Sequence, residues 1–275
     1  MTFNILHDSM KTINPSWAAR RSGVMATIRS ADADLVCLQE VSPRQMDHLS
    51  QDLPEFELIP GEPTGLTRIP ASANRLLAIL RPIFGDYIDR GEYCPVLVRR
   101  GRLTCLGDGS DRLASSRAGL GQTWAGSGTP HVVTWIKLEA SGRPFMLYNT
   151  HLGIVPWNWA RTGRELLQLL DRDWTGDPQI LVGDFNTLRR GPLFRTLIRM
   201  GENGAPVVRD AWLEARVRER GPGSFHWGLG LPWPRVDYIL VRPQCLVSRA
   251  AVLDGRTQGI FPSDHYAVVA DLELS

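Results

Sequence analysis

Lysine is almost missing from this chain of 275 residues: Lys11 and Lys137 are the only two, and arginine makes up the rest of its 31 basic side chains. Against 29 acidic residues they leave a net charge of +2, too little to supply an overall field that recruits long nucleic acids or anionic membranes, although a local basic patch stays open. Cysteine is scarce too. Cys37, Cys94, Cys105 and Cys245 are far apart and lie mostly in apolar runs such as "LVCLQ" and "YCPVLV", the pattern of buried thiols rather than of a zinc site. No run of about 18 apolar residues occurs, and "MTFNILHDSM" carries no basic leader, so a soluble cytoplasmic protein is expected. Met1 falls at the start of an apparent strand, which leaves a preceding leader open.

What the chain does have is enough apolar surface, 43% of its residues, to bury a sizeable core. "TFNIL", "ADLVCLQEV" and "QILVGDFN" are short apolar runs that end in polar residues, as strands buried on both faces do when their ends form a site rim. Trp17, Val24, Ile28 and Ala31 at helical spacing predict a helix behind a capping Ser16. Leu166, Leu169 and Leu170 mark the clearest helix, over residues 158 to 174. "RLLAILRP", "CPVLVRRGRLTCL", "HVVTWIKLEA", "RPFMLYNTHL", "RVDYILV", "CLVSRAAVL" and "HYAVVADLEL" are β-prone, while Gly-rich residues 113 to 130 and 219 to 234 are expected as exposed loops. This pattern predicts one α/β domain over residues 1 to 275, with two sheets packed face to face and helices outside.

Six places join an apolar strand to a polar cluster: Asn4, Gln39 with Glu40, Asn149 with His151, Asp184 with Asn186, Asp237, and Asp264 with His265. Each alone is a turn or a solvated strand end. Taken together and in order, "MTFNIL", "ADLVCLQEV", "GEYCPVLVRR", "TWAGSGTPHVVTW", "YNTHLG", "LVGDFNT", "RVDYILV" and "SDHYAVVADLEL" resemble the endonuclease/exonuclease/phosphatase superfamily of deoxyribonuclease-like, metal-dependent phosphohydrolases, over nearly the whole chain. The resemblance implies a four-layer αββα sandwich of two packed mixed sheets flanked by helices. It also implies magnesium, with manganese as a substitute, and hydrolysis of a phosphate ester, foremost a phosphodiester, by in-line attack of an activated water. The implied partner is the phosphate-ester substrate, a nucleic acid or a small phosphodiester, for a monomer with no obligate protein partner. Two alternatives stand beside this: a non-catalytic binding module of the same fold, and a phosphodiesterase of membrane phospholipid headgroups.

Magnesium takes hard oxygen ligands, which makes Glu40 the natural anchor with Asn4 and Asp264 near it. Asp184 is suited to orient or deprotonate the water and the Asn186 amide to donate to a phosphate oxygen. An extended backbone would point both to one side and Phe185 into the core. By resemblance, His265 contacts the scissile phosphate and is backed by Asp237, and His151 is backed by Glu92; two His–carboxylate pairs supply acid and base. Relatives carry Arg where this chain has His131, which suggests a neutral or pH-dependent contact, and Gly153 replaces a polar residue. Trp157, Trp159, Trp227 and Trp233 fall in two loops beside motif strands, where they would stack on a base or sugar, dip into lipid, or pack as loop cores. Arg161, with Arg20 and Arg21, is a phosphate-binding candidate; His7, His48 and His226 match no role, and His48 is expected on a helix surface.

Overall fold

Alternation along the apolar runs sorts the side chains into layers. In the computed structural model, which describes residues 1–9, 15–64, 92–113, 131–153, 159–198, 207–221, 223–231, 234–242 and 244–274, the elements follow in this order: β1 (Thr2–Asn4), α1 (Trp17–Ser30), β2 (Leu35–Gln39), α2 (Pro43–Asp52), β3 (Phe56–Ile59), β4 (Val96–Arg99), β5 (Thr104–Arg112) and β6 (Val132–Ala140). After them come β7 (Arg143–His151), α3 (Trp159–Arg172), β8 (Gln179–Asp184), α4 (Pro192–Leu197), β9 (Arg209–Asp210), α5 (Ala211–Glu214), β10 (Val217–Glu219), β11 (Asp237–Val241), β12 (Cys245–Leu253) and β13 (Ala267–Leu274). One sheet has the order β10-β12-β13-β1-β2-β4-β3 and the other β5-β6-β7-β8-β11-β9. Both are mixed, since β1 runs parallel to β2 and β7 parallel to β8 among antiparallel neighbours.

Inward-facing Cys37, Val96, Ile136, Leu147, Ile180, Val182 and Ile239 meet between the sheets. The outward residues of the same strands cover the helices. Phe3, Val36 and Leu38 pack on Trp17, Val24 and Ile28 of α1 and on Leu49 of α2. Tyr148, Leu181 and Tyr238 pack on Leu166 and Leu170 of α3 and on Phe194 of α4. The result is the expected αββα order, with central strands such as β8 and β11 buried along their whole length.

Local signals explain most boundaries, with some differences from the sequence expectations. Ser16 precedes α1 but makes no side-chain capping bond; its carbonyl accepts from Ala19 and Arg20 instead. A true capping box opens α2, where the Ser42 hydroxyl accepts from Gln45 N–H and the Gln45 carboxamide accepts from Ser42 N–H, so "SPRQ" is a readable start signal. The run "RLLAILRP", residues 114 to 130, Trp157 and Trp233 lie outside the described residues. The cysteines are free, with Cys37, Cys94 and Cys245 buried.

A polar bolt joins the sheets. Asn149 on β7 points its amide nitrogen at Leu38 O (2.9 Å), Pro95 O (3.0 Å) and Cys94 O (3.1 Å), while its oxygen accepts from Gln39 Nε2 at 2.7 Å. Gln39 and Asn149 are therefore spent on sheet-to-sheet contact, with both side chains buried. Truncation would strand several buried groups at once, so Asn149→Ala should lower unfolding free energy by about 3 kcal/mol in urea titration, against less than about 1 kcal/mol for a replaceable contact.

Candidate active site

Strand direction brings the polar clusters to one edge of the sandwich. Parallel β1 and β2 place Asn4 opposite Gln39, and parallel β7 and β8 place His151 opposite Asp184. Antiparallel β11 begins at Asp237, directly across from Asp184. β13 runs antiparallel to β1, so the segment leading into it, with Asp264 and His265, arrives at the same edge. Gly183 is required for this convergence: its φ is +144°, and a Cβ there would lie 1.9 Å from Thr150 O on β7.

Each histidine is clamped from behind. His151 Nδ1 lies 2.7 Å from Glu92 Oε1, and His265 Nδ1 lies 2.8 Å from Asp237 Oδ2. Their Nε2 atoms both turn toward Asp184 Oδ2, at 3.5 and 3.7 Å. Asn4 bridges the sheets, its Nδ2 donating to Glu40 Oε1 (2.9 Å) and Asp184 Oδ2 (3.1 Å), while its Oδ1 accepts from Leu6 N–H. The second Glu40 oxygen accepts from His7 N–H at 3.2 Å. Glu40 itself sits at φ +58°, a left-handed backbone that ends β2 and turns its carboxylate into the site. Ser263 Oγ ties Asn4 O at 2.7 Å to the Asp264 segment, and Ser224 Oγ accepts from Asp237 N–H at 3.1 Å.

Asp184 and Asn186 do converge, but not through an extended strand. β8 stops at Asp184, Asn186 adopts φ +48°, and Asn186 N–H donates to Asp184 Oδ1 at 2.9 Å, an Asx turn. The Asn186 amide then reaches His151 Nε2 at 2.9 Å and Leu152 O at 2.8 Å. Phe185 is buried against Phe194 and Tyr238, as the sequence predicts.

Burial and crowding set the protonation states. Burial alone would push the His151 imidazole down, but Glu92, through charge and hydrogen bond, together with Asp184 and Glu40, raises it to about 10. His265 is likewise lifted well above its ordinary value against the cost of burial, chiefly by Asp237 and Asp184. Burial, then the charge of Asp237, pushes Asp184 up to about 6. Asp264 is also raised by burial and by Glu40, while Glu40 is lowered, the imidazoles and the Asn4 amide outweighing its burial. Among the described residues, two acidic and imidazole triads have ligand atoms within 4.8 Å of one another: Glu40–Glu92–His151 and Asp184–Asp237–His265. In both, the close His–carboxylate hydrogen bond already occupies one carboxylate.

Other candidates fall elsewhere. Arg20 is no phosphate ligand: its buried guanidinium donates to the carbonyls of Pro15, Ile5, Leu6 and Pro262, fastening the β1 exit to the lead-in of β13. Arg21 is taken by Asp52 at 2.6 Å, and Arg161 lies 3.6 Å from Glu165, one helical turn away. His131 is buried and accepts from Gly153 N–H at 3.3 Å; burial and the charge of His151 hold it down at about 4, so it is neutral near pH 7 rather than a titrating contact. His48 is half-buried rather than on the surface, accepting from Trp17 Nε1 at 2.9 Å. Trp159 donates to Gly153 O, a loop-packing role. Sequence reasoning missed Phe225, whose ring centroid lies 4.8 Å from that of His265 and whose backbone pairs with it. No apolar periodicity surrounds Phe225, so nothing in the sequence flags it.

The family model described as the Endonuclease/Exonuclease/phosphatase family matches residues 1–265. No curated protein matches the chain. Among solved structures, it is similar to an endonuclease/exonuclease/phosphatase from Bacteroides vulgatus (24% identity, TM-score 0.80, covering 100% of this chain and 97% of that one). It is also similar to the mannosyl-6-phosphatase Bt3783 of Bacteroides thetaiotaomicron (19%, 0.78, 99% and 98%). A third likeness is D. rerio TDP2 complexed with a single-strand DNA product (18%, 0.66, 99% and 97%). At these identities the structural likenesses establish a shared fold.

The Arg20 buttress separates architecture from chemistry. Arg20→Met should cost at least about 3 kcal/mol in denaturant titration, because it leaves three buried carbonyls, those of Ile5, Leu6 and Pro262, short of a charged donor. Arg21→Ala, which opens a half-exposed ion pair, should stay within about 1 kcal/mol.

Proposed function

The chain belongs to the endonuclease/exonuclease/phosphatase family, enzymes acting on phosphate ester bonds, and within that family we propose that it is a magnesium-dependent phosphodiesterase that uses in-line attack by an activated water. The observation that carries this is the convergence of two imidazole Nε2 atoms on Asp184 while each Nδ1 is held by its own carboxylate. That arrangement suits a phosphate bound between two imidazoliums.

In this proposal Asp184 orients the water and takes its proton; a carboxyl raised to about 6 accepts a proton more readily than an ordinary one. On substrate binding the Asn186 amide turns from His151 Nε2 to an equatorial phosphate oxygen, and the Nε2–H of protonated His151, released from that contact, binds another, where charge grows during transfer. His265 donates to the scissile phosphate, and Asp237 and Glu92 hold the two rings in orientation and stabilise their charged form. Asn4 fixes the distance between Glu40 and Asp184.

The donor set fits a hard divalent cation. Glu40 and Asp264 are half-buried carboxylates, Asp264 raised by burial and by the charge of Glu40, and Asn4 turns its amide nitrogen to Glu40 while its Oδ1 accepts from Leu6 N–H. Glu40 and Asp264 would hold magnesium, or manganese in its place, with Asn4, expected from the sequence as a further ligand, instead holding Glu40 in position through its amide nitrogen; the ion when bound would polarise a phosphoryl oxygen and neutralise charge there. The similar structures include a protein named as a sugar phosphatase and one bound to single-strand DNA, so the monoester or diester preference is best read from a panel of phosphomonoesters, nucleotide diesters, oligonucleotides and phospholipids.

With magnesium and a chromogenic phosphodiester, Glu40→Gln, Asp184→Asn and His265→Gln should each lower kcat by at least roughly a hundredfold. Chelation by EDTA should abolish turnover and added magnesium restore it. Because the base must be unprotonated and the imidazoles protonated, the rate should rise with pH through about 6 and decline only toward about 10. Full activity in Asp184→Asn, or a flat profile across pH 6, contradicts the proposal.

A further inference from the structure

The turn that leaves β7 at His151 spends its backbone polar groups on its neighbours in the site. Leu152 N–H donates to Asp184 O at 2.9 Å, and Leu152 O accepts from the Asn186 amide nitrogen at 2.8 Å. One residue on, Gly153 N–H donates to His131 Nε2 at 3.3 Å, and Gly153 O accepts from Trp159 Nε1 at 3.0 Å. The Leu152 carbonyl and the Gly153 N–H belong to one planar peptide group, in which the two bonds point opposite ways. Whatever holds the N–H on one side therefore sets the direction of the carbonyl on the other.

Both grips on this turn are themselves fixed. His131 is 5% exposed, its carbonyl accepts from Leu113 N–H at 2.7 Å, and the next residue, Val132 of β6, accepts from Thr150 Oγ1 at 2.9 Å. Burial and the charge of His151 keep the His131 ring neutral near pH 7, so Nε2 has a lone pair for Gly153 and the ring hydrogen stays on Nδ1. Trp159 opens α3 and packs against the apolar layer formed by Tyr148, Leu166 and Phe194. Its contact with Gly153 thus does more than pack the loop.

Asn186 depends on this turn more than His151 does. The His151 ring has its own clamp in Glu92. Asn186 adopts φ +48°, and its amide nitrogen lies on Leu152 O and on His151 Nε2, the second of which it leaves when phosphate binds. The contact that stays is the Leu152 carbonyl.

On these grounds we infer that His131 and Trp159 are positioning residues, which aim the Asn186 amide at the phosphate through the Leu152–Gly153 peptide. This rests on the phosphodiesterase proposal above for the role of Asn186 and adds two residues to it. A packing role asks only for volume at these positions. A positioning role asks for a lone pair at His131 Nε2 and an N–H at Trp159 Nε1. His131→Leu keeps the bulk and loses the acceptor, His131→Gln restores an acceptor, and Trp159→Phe keeps an aromatic ring and loses the donor.

These variants are tested with magnesium and a chromogenic phosphodiester, alone and combined with Asn186→Ala. His131→Leu should lower kcat roughly tenfold while KM stays within about twofold, because the aimed contact acts where charge grows during transfer. His131→Gln should recover most of that loss, and Trp159→Phe should lower kcat in the same manner. In the Asn186→Ala background His131→Leu and Trp159→Phe should each cost less than about twofold, since the group they aim is gone. The same geometry is read without turnover from the Asn186 side-chain amide in 15N NMR, assigned by its loss in Asn186→Ala. Its proton signals should be protected from exchange in the wild type and His131→Gln, and exposed in His131→Leu and Trp159→Phe. Equal losses of kcat with and without Asn186, no rescue by glutamine, or amide signals that ignore the substitutions overturn the inference. If His131→Leu fails to fold, Trp159→Phe carries the comparison. Absence of hydrolysis by the wild type would refute the phosphodiesterase proposal, and the amide signals would then decide the positioning role separately.

Discussion

Five carboxylates, Glu40, Glu92, Asp184, Asp237 and Asp264, crowd into one end of the sandwich with two imidazoles, and the rest of the structure is arranged around making that crowding tolerable. A buried charge without a partner is costly enough that it would neutralise. Here the two histidines are held charged by carboxylates on both sides, while Asp184, which faces Asp237 across the β8–β11 ladder, and Asp264 are pushed toward protonation. The imbalance that remains, more negative oxygen than positive nitrogen, is what a divalent cation would offset, leaving the imidazoliums to receive the phosphate.

Everything beneath this cluster serves to hold its spacing. Asn149 and Gln39 lock the sheets together one layer below, Asn4 spans them at the rim, and Arg20 ties the two segments that deliver Glu40's neighbour His7 and the pair Asp264 and His265. Gly183 lets β7 and β8 close to the distance at which His151 and Asp184 face one another. The work of these residues is to fix geometry, and geometry sets the protonation states.

Much of this is legible in the sequence because burial and chemistry leave different marks. Apolar runs such as "QILVGDFN" end where the core ends, so the polar residue after the run falls on the rim, and the order of six such ends carries the resemblance. How Asp184 and Asn186 converge is not legible there. Strand alternation predicts one face for residues two apart, but the strand stops at Asp184 and a side chain to backbone bond makes the turn. Arg20 misleads for a related reason: a helical arginine reads as solvent-facing unless the carbonyls of distant loops are known to lie under it, and Pro262 is remote in the chain. The same holds for His48, whose partner Trp17 belongs to another helix. Long-range polar contacts have no periodicity by which to find them.

Most rests on the crowded rim being built for a hard cation anchored on Glu40. Titration calorimetry of magnesium into the wild type and into Glu40→Gln tests this without reference to any substrate. If Glu40 is the anchor, the wild type binds magnesium saturably and the variant loses that binding. Equal binding by both proteins, or none by the wild type, would contradict it.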